Sequence, residues 1–225
     1  RFVDSMPFVP SDNEKRAQRC KEIFAIQASG LAKRIEHVGS NGVVVGISGG
    51  LDSTLALLVS VSAMKLLGKN NSDILGVTMP GFGTTDRTYQ NAIDLMKSLG
   101  VTIKEISIKD ACVLHMKDIE HDSLVKDITY ENTQARERTQ ILFDLANKHG
   151  KLLVGTGDLS ELAMGWCTYN GDHMSMYGVN ASVPKTLVKY LVEYVANVSD
   201  KKTADILFDV LDTPVSPELL PPDEN

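Results

Sequence analysis

The sequence predicts an α/β protein: a doubly wound, mainly parallel sheet flanked by helices. Three observations carry this. The runs VVVGI at 43–47 and KLLVGT at 151–156 lack polar alternation, as strands buried on both faces do. Segments with apolar residues at helical spacing lie between the strand-like runs, the repeat of βαβ units with right-handed crossovers. The three most unusual loops, at 48–53, 80–86 and 155–161, each follow a strand. They therefore open on one edge of the sheet, where such sheets bind ligands.

The elements follow in order. Residues 12–38 place Ile23, Ile26, Leu31 and Ile35 at helical spacing, interrupted only by Gly30. After the first strand a helix is expected from Ser53 to about Leu67, stopped by Gly68. DILGVTMP is the second strand, and a helix over 88–99 stops at Gly100. VTIKEISI is the third; its partial alternation, with Thr102, Lys104 and Glu105, puts it nearer an edge. Residues 109–130 have mixed polarity and no clear period; a helix or two is expected there without defined bounds. Helical spacing returns over 131–148, then comes the strand at 151–156, a helix from Ser160 and another over 185–195.

Composition narrows the class. The chain is 43% hydrophobic with a formal charge of −6, which gives enough apolar residues for a core and argues against a nucleic-acid surface, short of a local basic patch. No apolar run reaches membrane-spanning length. Cys20, Cys112 and Cys167 are widely spaced and odd in number. They suit a reducing, cytoplasmic setting and neither a disulfide framework nor a zinc site.

The stretch GISGGLDST carries the chemistry. Gly49 and Gly50 let backbone N–H groups approach a ligand, and the next helix turns its positive end to the same space. Ser48, Ser53 and Thr54 add hydroxyls. The set suits a phosphate or pyrophosphate. Asp52 would repel one unless a cation intervened, and a magnesium ion with oxygen ligands resolves the conflict. No lysine precedes the Ser/Thr, so this is not the P-loop, and the third glycine of a dinucleotide fingerprint is absent.

SGGLDS at 48–53 resembles the pyrophosphate loop of the ATP pyrophosphatases, which adenylate a substrate and then admit a nitrogen or sulfur nucleophile. With CKEIFAIQASGLAKRI, ENTQARERTQILFDLANKHG, LLVGTGDLSELAMGWCTYNGDHMSMYGVN and DTPVSPELLP, the chain resembles the NAD synthetase family, and most closely the synthetase domain of its glutamine-dependent members. The resemblance implies an adenine nucleotide α-hydrolase-like, Rossmann-like fold. It also implies a carbon–nitrogen ligase that uses ATP and Mg2+ to activate deamido-NAD at its nicotinate carboxylate, and ammonia to displace AMP after pyrophosphate has left.

The same resemblance assigns residues. Ser48, Gly49, Gly50, Asp52 and Ser53 match the pyrophosphate loop, and Thr156 a nucleotide contact. Asp52 and Glu161 match magnesium ligands, although Glu161 alone reads as a first-turn helix residue with Ser160 near the cap. Glu131, Asn132 and Arg136 match contacts to deamido-NAD. Arg136 and Arg138 are two apart on a helix, so only one faces the site. Asp172 matches an acid near the nicotinate that could orient or deprotonate the amine, and Lys185 a lysine that offsets charge on the adenylated intermediate. The histidines show no metal-like spacing, and Met79 reads as core.

The expected organisation is an N-terminal extension and helix over 1–40, a core over 41–200, and at 201–225 the start of a truncated C-terminal segment. The family resemblance implies a glutaminase domain not represented in these residues, so this chain is expected to use free ammonia. It also implies a homo-oligomer, dimeric or larger. Two other readings stand beside this one: another amidating or thiolating ATP pyrophosphatase, and a catalytically inactive nucleotide-binding fragment.

Overall fold

The computed structural model describes residues 6–214 and 219–220. Its centre is β1 (Val43–Gly46), which pairs in parallel with β2 (Ile74–Thr78) on one side and β4 (Leu152–Gly155) on the other. β3 (Thr102–Glu105) lies outside β2 and the two-residue β5 (Tyr177–Gly178) outside β4. The order is β3-β2-β1-β4-β5. This is the expected doubly wound parallel sheet, and β3 takes the edge that its partial alternation indicated.

Strand periodicity divides the core. Val43, Val45, Ile47, Leu152 and Val154 face one layer, with side chains of α1 (Asn13–Val38), α2 (Leu51–Leu66), α3 (Asp86–Leu99), α7 (Lys185–Val198) and α8 (Lys201–Asp212). Val44, Leu75, Val77 and Leu153 face the opposite layer, made by α4 (Lys109–Asp118) and α5 (Ile128–His149). Successive side chains of a strand point to opposite faces, so an all-apolar strand feeds both layers at once.

α1 starts where Asp12 accepts from the Lys15 N–H and ends at the left-handed Gly39. Gly30 does not interrupt it. A Cβ there would press to 2.8 Å from the Tyr177 hydroxyl, so the glycine admits β5 and leaves the helix whole. α2 is almost wholly buried and begins at Leu51, two residues before its expected start, with Gly50 as an N-cap that provides no side-chain bond. Asp52 and Ser53 are therefore first-turn helical residues.

β5 and α8 were not anticipated, and α4 is a helix in the 109–130 stretch where a helix or two was expected without bounds. β5 is too short to leave a pattern. α4 carries only Cys112 and Met116 as buried residues, too few for a clear period. α8 does show helical spacing, burying Thr203, Leu207 and Val210; the acidic residues around it made it read as tail. It packs on α3 and α7, and Asp209 accepts from Nε and Nη2 of Arg87. The Pro-rich acidic stretch after α8 lies mostly outside the described residues. Of it, the Leu219 carbonyl accepts from Gln134 Nε2 at 2.9 Å and Leu220 packs on the second core layer.

Candidate active site

Strand order reverses between β1 and β4, and loops leaving their carboxyl ends part there to form a crevice. One wall is residues 47–53. Gly49 has φ +90, and a Cβ on it would overlap the Thr88 carbonyl of α3; only glycine fits. Gly50, at φ −82 and ψ 169, is ordinary extended backbone, so its left-handed freedom is unused. Ser53 Oγ donates to the Gly50 carbonyl and lies 3.2 Å from Ser48 Oγ, which folds both hydroxyls into the turn. Thr54 is fully buried and Ser53 nearly so, which leaves Ser48 as the more open of the three hydroxyls. The N-terminal end of α2, lacking a side-chain cap, remains the anion-attracting feature.

The other wall is the β4 loop. Asp158 caps α6 (Leu159–Met164): its Oδ1 accepts from the Glu161 N–H, and Glu161 Oε2 accepts from the Asp158 N–H. The cap is Asp158, not Ser160. The DLSE sequence carries the capping-box spacing that would have revealed it. Ser160 instead accepts from the Lys185 N–H at 3.0 Å, which docks the start of α7 on α6.

These walls bring three carboxylates together. Asp52, Asp158 and Glu161 each offer an oxygen within 4.8 Å of the others. Lys185 Nζ sits among them, bonded to Asp52 Oδ2, 2.9 Å from Asp158 Oδ2 and 3.3 Å from Glu161 Oε1. Three acids against one ammonium leave a net negative site. Burial raises the Asp52 carboxyl to about 6, although its bond to Lys185 acts in the opposite direction. Burial also opposes the charge on Lys185, but hydrogen bonds to Asp52 and Asp158 outweigh it and raise that pKa. Asp52 Oδ1 is buried with no hydrogen-bond partner, and Asp158 Oδ2 meets the Lys185 ammonium. An all-oxygen donor set with one orphaned buried acceptor fits a hard divalent cation.

Thr156 directly follows β4. Its carbonyl accepts from Asn180 Nδ2 at 2.9 Å, and the same nitrogen donates to the Asp52 carbonyl at 3.0 Å. Nothing in the sequence singled out Asn180.

A second group lies along α5. Asn132 Oδ1 accepts from Thr168 Oγ1 at 2.7 Å, and the exposed Arg136 donates from Nε to the Tyr169 carbonyl at 3.1 Å. Asp172 Oδ1 accepts from the Thr168 N–H at 2.7 Å. Asn132, Arg136 and Asp172 thus share the 168–172 loop, and Glu131 adjoins them in the first turn of α5. Lys185 is placed with the carboxylates and not with Asp172. Arg138, on another side of α5, donates from Nε to the Met79 carbonyl at the carboxyl end of β2; Met79 is core. Trp166 and Tyr169 are about three-quarters exposed, so neither fills a packed helix face.

The fold and the crevice define a class: a doubly wound α/β protein in which a glycine–serine turn faces a carboxylate cluster across the switch point. A family model described as NAD synthase matches residues 23–214, and the chain belongs to that family. It is 49% identical over 230 residues to a glutamine-dependent NAD(+) synthetase of Mycobacterium leprae. That alignment takes in 99% of the chain but 34% of the relative, so the chain spans about a third of the length of its glutamine-dependent relatives. Among solved structures, glutamine-dependent NAD+ synthetase of Acinetobacter baumannii, determined with ADP, superposes with TM-score 0.77 at 29% identity, covering 91% of this chain and 37% of that one. NMN synthetase of Francisella tularensis shares the fold, with TM-score 0.76 at 24% identity over 89% of this chain and 76% of that one.

Proposed function

We propose that the chain catalyses ATP-dependent amidation of deamido-NAD to NAD. One observation carries this reading: Asp52 and Glu161, from the first turns of helices that follow different strands, converge beside the uncapped α2 terminus. That geometry supports a Mg2+–triphosphate site. Family membership, and the ADP held by the A. baumannii relative, support ATP as its occupant.

In this reading a nicotinate carboxylate oxygen attacks the α-phosphorus of ATP and the bond to pyrophosphate breaks. Residues 48–53 and the first-turn N–H groups of α2 hold the pyrophosphate as charge builds on it. Asp52 and Glu161, with Asp158 beside them, would hold the cation, which would supply neutralisation of phosphate charge. Ammonia nitrogen then attacks the carbonyl carbon of the adenylate and AMP leaves with the former carboxylate oxygen. Asp172 orients the amine and accepts its proton, a role that requires hydrogen-bond reach. Thr156 contacts the nucleotide, and Glu131, Asn132 and Arg136 hold the dinucleotide, Arg136 through its planar fork. Once displaced from the carboxylates, Lys185 offsets charge on the intermediate.

Within the longer proteins of the family a glutaminase domain would provide the ammonia; the 225 residues by themselves would draw it from solution. The three unpaired cysteines, two of them buried, support a reducing cytoplasmic setting, and among the described residues no helix is long and apolar enough to cross a membrane. Exposed Ile26, Leu162, Met164 and Trp166 support a homo-oligomer, which sedimentation would measure.

The test is pyrophosphate release and NAD formation from ATP and Mg2+, with deamido-NAD and ammonium added singly and together. NAD formed only with both substrates, and lost in Asp52→Ala, is the expected result. Nicotinate mononucleotide and xanthylate serve as competing acceptors; turnover of either in preference to deamido-NAD would move the assignment to another amidating enzyme. ATP binding without pyrophosphate release would leave only a nucleotide-binding fragment.

A further inference from the structure

We infer that Asn180 is a positioning residue for the cation site, setting the distance between its two walls. The inference rests on the reading of Asp52 and Glu161 as cation ligands. β1 and β4 pair only as far as Val45 and Val154; beyond that register the sheet no longer ties the two loops together. Asn180 ties the two backbones there, whereas Lys185 joins the walls only through side-chain carboxylates. Asn180 is fully buried, and its amide nitrogen donates to the Asp52 carbonyl at 3.0 Å and to the Thr156 carbonyl at 2.9 Å. One of these belongs to the residue that bears a ligand. The other opens the loop that reaches Asp158 and Glu161 within five residues.

The arrangement exceeds what satisfying buried carbonyls requires. Asp52 lies in the first turn of α2, whose ladder already offers its carbonyl the N–H four residues on. The Asn180 bond is a second one, to the remaining lone pair. The amide is itself aimed: its Oδ1 accepts from Gln27 Nε2 at 3.1 Å, and Gln27 Nε2 also donates to the Val179 carbonyl at 2.8 Å. Gln27 belongs to α1 and is 8% exposed. A side chain outside both walls thus grips each of them and is oriented from a third element. Only a primary amide does this, because it pairs two N–H donors on one nitrogen with an acceptor. Aspartate and leucine, of similar shape, donate nothing.

The test is Mn2+ titration, read by electron paramagnetic resonance of the free ion, on the nucleotide-free chain well below its melting temperature. Asn180→Leu and Asn180→Asp should each bind Mn2+ at least tenfold more weakly than wild type. The aspartate matters because its added negative charge would by itself strengthen cation binding; weakening reads geometry. Gln27→Leu, which frees the amide to rotate, should lose about threefold, and it carries the test if the Asn180 variants do not fold. Thr203→Val, which removes a buried hydroxyl from the remote start of α8, should lower the melting temperature without changing Mn2+ affinity. Equal affinity in wild type and the Asn180 variants, or in Gln27→Leu where those do not fold, would overturn the inference and leave the cation reading intact. A matching loss in Thr203→Val would reduce Asn180 to a structural role. Failure of the wild type to bind Mn2+ would remove the cation reading and this inference together.

Discussion

Lys185 Nζ lies 2.9 Å from the Asp158 carboxylate, in the space that Asp52 and Glu161 also face. The protein thus carries its own cation where the proposed function needs a divalent one. An ammonium and a divalent cation cannot share that space at low cost: at about 4 Å and an effective dielectric near 20 a single and a double charge repel by roughly 8 kcal/mol. Lys185 must swing out when the site fills.

Replacing the lysine should therefore separate binding from turnover. Lys185→Met is expected to bind Mn2+ at least tenfold more tightly than wild type while NAD formation falls by two orders of magnitude or more. Unchanged Mn2+ affinity would show that the ammonium does not compete for the carboxylates.

Asp52 makes the site sensitive to acid. Burial raises its carboxyl from 3.8 to about 6. The folded chain therefore binds more protons than the unfolded chain between those values. The stabilisation from this protonation is fully present below about pH 4 and is lost as pH rises through about 6. A cation and that proton exclude each other. Mn2+ affinity should hold above pH 6.5 and fall about tenfold per unit below about 6; a flat profile from pH 7.5 to 5 would place another group at the cation.

Gly49→Ala combines a positive φ with a methyl against the Thr88 carbonyl. Strain and overpacking together should destabilise the fold by about 2–4 kcal/mol and abolish ATP binding in whatever remains folded. Gly50→Ala, at ordinary backbone angles, should cost less than about 1 kcal/mol by denaturant titration. Equal losses at the two positions would contradict the packing described for the turn.

The arginines of α5 should divide the substrates. Arg136→Ala is expected to raise KM for deamido-NAD by about 10–100-fold, the range for a lost charged hydrogen bond, with KM for ATP nearly unchanged. Arg138→Ala, at the carboxyl end of β2, should act first on ATP. A reversed pattern in steady-state kinetics would exchange the two assignments.

Arg87 and Asp209 join α3 to α8 in a forked pair, but both side chains are nearly half exposed. Arg87→Ala should lower the urea midpoint only slightly, as loss of an exposed ion pair does, and leave turnover unaltered. A larger loss would mean that α8 depends on this pair more than on its buried Leu207 and Val210.

What the sequence determined by itself is whatever rests on neighbours in the chain. Unbroken apolar runs at β1 and β4 announced a buried parallel sheet, helical spacing announced α1, α2, α3, α5 and α7, and the order of these elements announced the winding. The turn at 48–53 was legible because its glycines and serines are contiguous, and ENTQARER because a family resemblance adds to local pattern. The tertiary structure alone decided which distant residues meet. Asp158 follows Asp52 by more than a hundred residues, and no local pattern records that they face each other; the β1–β4 crevice does that. Lys185 could be chosen as functional, but its place among three carboxylates follows from the docking of α7 on α6 through Ser160. Asn180 left no local trace, because an asparagine between β5 and α7 reads as a turn residue until the structure supplies the two carbonyls it holds. Chain-local forces write periodicity and caps into sequence, whereas sheet closure creates convergence across strands, and the chemistry of this crevice depends on that convergence.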